Sequence, residues 1–146
     1  MRQMTESIWT GLLATVSVAL EQEQQSNMVG LALQGFFLQV KVMGHLGLET
    51  AQEAAMVSIA KFTNLRSLKD VKYKNIKAVE TVMQIGLGVQ NGLGRQWKYV
   101  LETLSRLEQI VMMVQVQQDI FNKNKKYADY QELSSIEAIV KHVDQT

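Results

Sequence analysis

The sequence contains no cysteine and no proline, and only two of its 146 residues are histidine. Each gap closes off a class of function. Without cysteine there is no disulfide framework and no thiolate for a metal site, which fits the cytosolic side of the cell. His45 and His142 stand far apart, and neither has a second histidine one helical turn away, so the ligands of a closed zinc site are not assembled. Surface or capping roles are expected for both. No run approaches the roughly 18 apolar residues that span a bilayer. Glu6 and Thr10 interrupt the apolar start where the core of a signal peptide would lie. Any membrane contact is therefore expected to be peripheral. An excess of one charge is also missing: the net is +1, and no global basic field points to nucleic acid.

What is present is helical periodicity. Hydrophobic residues make up 47% of the chain, ample for a core. Trp9, Leu13, Val16 and Leu20 share one face of a first helix, expected from Thr5 as N-cap to about Gln25. Val29, Leu33, Phe36, Val40 and Met43 repeat the pattern to Gly44, with Ser26 or Asn27 as the expected cap and Gly44 and Gly47 marking the turn. Thr50 and Glu53 have the spacing of a capping box before a third helix carrying Ala55, Ile59 and Phe62. A fourth, from near Lys69 to Gln90, aligns Ile76, Val79, Met83 and Leu87. A fifth, from about Arg95 to Phe121, carries Val100, Leu104, Leu107, Val111 and Val114 in alternating steps of four and three. Leu101, Ile110, Met112, Met113, Val116 and Ile120 lie off that stripe, so this helix is expected to be buried on several sides or to lend one side to a partner.

Asn122–Tyr130 reads as a polar linker, followed by a short helix over Gln131–Val143. The expected organisation is a helical domain over residues 1–121 and a linker with a short helix over 122–146. Roughly six helices with short connectors imply an all-α fold of antiparallel helix pairs, stacked as a bundle or as an armadillo/HEAT-like α-solenoid segment.

Few residues suggest chemistry. Gly86, Gly88, Gly92 and Gly94 follow a helix rather than a strand, Asn91 stands at the third position of a dinucleotide fingerprint, and no Gly-Lys-Ser/Thr occurs. A helix end is expected there, and no cofactor. Glu21 and Glu23 lie in a polar turn, where solvation explains them. The distinctive feature is a cationic run, Lys61, Arg66, Lys69, Lys72, Lys74 and Lys77, opposed only by Asp70. It is either a solvated helix face or a docking surface for an acidic partner or anionic headgroups, with Lys69, Lys72, Lys74 and Lys77 as the candidate partner-binding residues. Lys123, Lys125 and Lys126 form a smaller patch.

Five stretches resemble a known family: MRQMTESIWTGLLATVSVAL (Met1–Leu20), LALQGFFLQVKV (Leu31–Val42), AKFTNL (Ala60–Leu65), KYKNIKAVETV (Lys72–Val82) and GRQWKYVLETLSRLEQI (Gly94–Ile110), the last with Trp97 and Leu107-Glu108 being the most specific. Over about Arg2–Val114 the chain is similar to the first homology region downstream of the catalytic domain in large Arf guanine-nucleotide exchange factors of the brefeldin A-inhibited, trans-Golgi type. Gln34 departs from the family's usual glutamate, and Gly92 stands where the family has tyrosine. The tail after about Gln115 matches poorly. The resemblance implies a non-catalytic, helical regulatory region, exchange being the work of a separate upstream domain. It further implies a cytoplasmic location, peripheral on Golgi membranes. The implied partners are activated, GTP-loaded Arf-family GTPase, an anionic membrane surface and other domains of the parent exchange factor.

Overall fold

A computed structural model describes residues 1–22 and 24–144 of the chain. Among them there is no strand. The helices are α1 (Arg2–Gln22), α2 (Ser26–His45), α3 (Glu49–Phe62), α4 (Tyr73–Val89) and α5 (Trp97–Asp144), with 3-10 turns at Leu68–Asp70 and Gln90–Gln96. The chain divides into two compact units, Met1–Leu107 and Glu108–Thr146.

In the first unit α2 is central, packing against α1, α3 and α4. It can take that place because Val29, Ala32, Leu33, Phe36, Val40 and Met43 cover more than one face, and all six are buried. Leu20 meets them from α1, Ala55, Met56 and Ile59 from α3, and Ala78, Val82 and Ile85 from α4. Phe36 and Phe62 place their rings 6.1 Å apart at a tilt, within the range aromatic pairs favour. The all-α expectation of stacked antiparallel pairs holds, and the faces expected for α1, α2 and α3 are the ones facing the core.

The face expected for α4 meets the core through Met83 but not at its two ends. Ile76 is 58% and Leu87 77% exposed. The buried side of α4 is instead Asn75, Ala78, Thr81, Val82, Ile85 and Gly86. Small residues won over large ones because they allow closer approach: a Cβ at position 86 would sit 3.0 Å from Val100 Cγ1. The expected caps also fail. Thr5 lies inside α1, where its hydroxyl donates to the Met1 carbonyl at 3.1 Å. The N-caps of α2 and α3 are Gln25 and Leu48, neither with a side-chain cap. The α4 start is capped differently: the Lys72 backbone N–H donates to Asn75 Oδ1 at 2.8 Å, while Asn75 Nδ2 donates to the Phe62 carbonyl at 2.7 Å. One buried amide thus joins the end of α3 to the beginning of α4.

A second buried amide closes the other end. Gln52 Nε2 donates to the Val40 carbonyl at 3.1 Å and to the Gly92 carbonyl at 2.9 Å. The contact is tight: a Cβ on Gly44 would fall 2.7 Å from both Gln52 Nε2 and the Gly92 oxygen. Two residues of the Gln90–Gln96 corner, Gln90 and Gly94, adopt φ near +49°. Gly94 takes this region without cost; Gln90 is held there by the Trp97 indole N–H, which donates to its carbonyl at 3.0 Å.

In the second unit the described residues, Glu108 to Asp144, continue α5 as one helical stretch. Asn122–Tyr130, expected as a linker, is helical, and the separate helix expected over Gln131–Val143 is part of α5. The segment is polar but holds neither glycine nor proline, so nothing in it breaks the backbone ladder. Val111, Met112 and Val116, on the helix expected to be buried on several sides or to lend one side to a partner, are exposed, because the described part of this unit has no second element to cover them.

Gly44→Ala and Gln52→Ala are each expected to lower unfolding free energy by about 1–3 kcal/mol, the first through overpacking and the second by losing the two hydrogen bonds of a buried amide. Because both disrupt one bridge, the double variant should lose less than the sum; urea denaturation of the three variants measures this.

Candidate functional site

The four lysines singled out in the sequence have different surroundings. Lys69 lies in the Leu68–Asp70 turn and Lys72 precedes α4; both side chains are exposed. Lys74 is half-buried and turned the other way, its ammonium donating to the carbonyls of Leu20 at 3.2 Å and Glu21 at 2.9 Å. It therefore satisfies the last carbonyls of α1, where a cation also complements the helix dipole. Lys77 bonds Glu80 at 2.7 Å, one turn along α4, and sits 5.8 Å from the Tyr73 ring centroid. The Glu80 hydrogen bond, and then its charge, raise the Lys77 pKa. Of the expected docking surface, Lys69 and Lys72 present exposed cations, Lys77 is paired with Glu80, and Lys74 serves the fold. Glu23, the partner of Glu21 in the polar turn, lies outside the described residues.

The other two residues of the cationic run go elsewhere. Lys61 and Arg66 line a groove of about 370 Å³ in the first unit, between the end of α3, the Thr63–Arg66 turn and the beginning of α5. Asn64 shapes the turn by adopting φ +47°, a left-handed conformation that asparagine tolerates. Arg106 joins from α5. Arg66 Nη2 and Arg106 Nη2 both approach Glu102 Oε1, at 3.9 and 3.5 Å. Val57, Ala60, Leu65 and the Tyr99 side chain supply the apolar lining. Sequence reading missed this groove because Lys61 and Arg106 are brought together only by packing. A signal was there: AKFTNL and GRQWKYVLETLSRLEQI, two of the stretches noted above, are the two walls.

Next to it, Glu53 of α3 accepts from the Tyr99 hydroxyl at 3.0 Å and from Lys98 Nζ at 3.3 Å. This is the role Glu53 has in place of the expected capping box. The Tyr99 hydrogen bond first, and then Lys98, hold the Glu53 carboxyl below its ordinary range, while the same contacts raise Lys98. Gly86 and Gly88 lie in α4, and Gly92 and Gly94 in the corner after it. His45 ends α2 with its side chain exposed. Among the described residues no helix is long and apolar enough to cross a membrane, and no three His, Asp or Glu residues cluster as metal ligands would.

No family model matches the chain, and no solved structure matches it. Curated relatives do. The chain is 35% identical over 116 residues to Brefeldin A-inhibited guanine nucleotide-exchange protein 4 of Arabidopsis thaliana, a match covering 80% of this chain and 7% of that protein. It is 35% identical over 113 residues to protein 1 of the same series and plant, covering 77% of this chain and 7% of the relative. With the ADP-ribosylation factor guanine nucleotide-exchange factor sec71 of Schizosaccharomyces pombe the identity is 30% over 110 residues, 75% of this chain and 6% of that protein. The chain thus spans less than a tenth of the length of these relatives.

Lys74→Ala is expected to cost about 1 kcal/mol through the lost carbonyl contacts, whereas Lys69→Ala and Lys72→Ala should stay within about 0.5 kcal/mol of the parent, all read from urea midpoints. Folding lowers the Glu53 pKa, so the stability this carboxylate contributes is complete above the ordinary glutamate range and is lost as pH falls through the lowered value. Glu53→Gln should flatten that acidic limb in unfolding curves recorded between about pH 3 and 6.

Proposed function

The chain is homologous to one region of the large Arf guanine-nucleotide exchange factors of the brefeldin A-inhibited type, and from that premise we propose that it is a non-catalytic regulatory module that binds activated, GTP-loaded Arf-family GTPase. GTP orders the switch loops of a small GTPase, and the module binds that ordered surface in preference to the GDP form. A ligand shifts an equilibrium only by its differential affinity for the two states. Preference for the GTP form therefore draws the exchange factor to Golgi membranes already carrying its product, and releases autoinhibition there. The observation that carries the reading is the similarity itself, which covers 80% of this chain in the match to the first of these relatives. Lys69 and Lys72 support it as exposed cations able to steer an encounter with an acidic surface. Lys77 adds to their field, while Lys74 is reserved for α1.

The test is capture of purified Arf in both nucleotide states, with and without anionic vesicles. Preferential capture of the GTP form is expected, weakened by about tenfold in the Lys69→Glu/Lys72→Glu variant, which corresponds to 1.4 kcal/mol. Equal capture of both forms sinks the reading. Flotation with anionic vesicles lacking GTPase, lost in the same variant, would make the surface a lipid-binding one instead.

A further inference from the structure

We propose that the groove between the end of α3 and the beginning of α5 is a docking site for an acidic polypeptide segment, whose carboxylates bind Arg66 and Arg106. The argument begins with a mismatch of charge. Lys61, Arg66 and Arg106 line the groove against one anion, Glu102. That carboxylate is shared: its Oε1 is 3.9 Å from Arg66 and 3.5 Å from Arg106. Both separations exceed the about 2.7–2.9 Å of a charge-assisted N–H···O bond. Glu102 therefore holds the two guanidiniums near each other without using their forked donors, which suit a carboxylate approached in their plane.

The surroundings favour a peptide over a bare anion. Val57, Ala60 and Leu65 give the groove an apolar floor, and the Tyr99 side chain lines it as well. The Tyr99 ring is fixed, because its hydroxyl is committed to Glu53 at 3.0 Å. A floor of this kind accepts the side-chain methylenes and an apolar neighbour of a glutamate, surfaces that inorganic phosphate lacks. The Arg66 side chain is 79% exposed and that of Glu102 54%, so an incoming chain meets them without opening the core. The site is separate from Lys69 and Lys72 and requires no GTPase, so it goes beyond the function proposed above.

The experiment titrates the full chain, in low salt, with a labelled peptide alternating glutamate and leucine. The matched glutamine–leucine peptide and inorganic phosphate serve as the other arms. Binding is read by fluorescence anisotropy and by amide shifts at Tyr99 and Thr103. The acidic peptide should bind at least about fivefold more tightly than the glutamine one, the upper range for exposed ion pairs. Arg66→Ala and Arg106→Ala should each weaken it by about threefold. Glu102→Gln should strengthen it, since it removes the competing carboxylate; a generic structural role for Glu102 would not produce a gain. Equal binding of the two peptides, no gain in Glu102→Gln, or phosphate matching the acidic peptide each overturns the proposal. Because the assay contains no GTPase, its result and that of the capture experiment fail or succeed separately.

Discussion

The side-chain amide of Gln52 is the interaction on which the first unit turns. A helix placed at the centre of a bundle must satisfy its own backbone where regular structure stops. At the end of α2, Gln52 of α3 donates both to the Val40 carbonyl and to the Gly92 carbonyl of the corner. The amide joins α2, α3 and the corner before α5. Asn75 does the equivalent for α3 and α4 through the Phe62 carbonyl. With two buried amides fixing the helix ends, the apolar faces between them have little choice of register.

Much of this was legible in the sequence where one kind of signal dominated. The faces of α1, α2 and α3 follow from apolar spacing because large residues such as Leu20, Phe36 and Ile59 are buried on them. α4 was misread because its buried side is built from Ala78, Thr81 and Gly86, which carry little hydrophobic signal and matter for their size. The caps were misread because Thr5 and Glu53 found other partners once the chain folded. Polarity alone suggested a break over Asn122–Tyr130, where only glycine or proline would have made one.

The candidate surface was half legible for a related reason. A count of lysines between Lys61 and Lys77 locates positive charge but says nothing of where each side chain goes. Folding sorts them: Lys74 to the α1 carbonyls, Lys77 to Glu80, Lys61 and Arg66 to the groove, and Lys69 and Lys72 to solvent. Similarity to one region of Arf exchange factors gives this sorting its context, the regulatory role proposed above.

The close approach at Gly44 has an evolutionary corollary. With the Gly92 oxygen and the Gln52 amide both within 2.7 Å of where a side chain would begin, neither the end of α2 nor the corner that follows α4 can drift alone. Tolerated change at one should come with compensating change at the other, so that two stretches more than forty residues apart behave, across descendants of this chain, as one inherited unit.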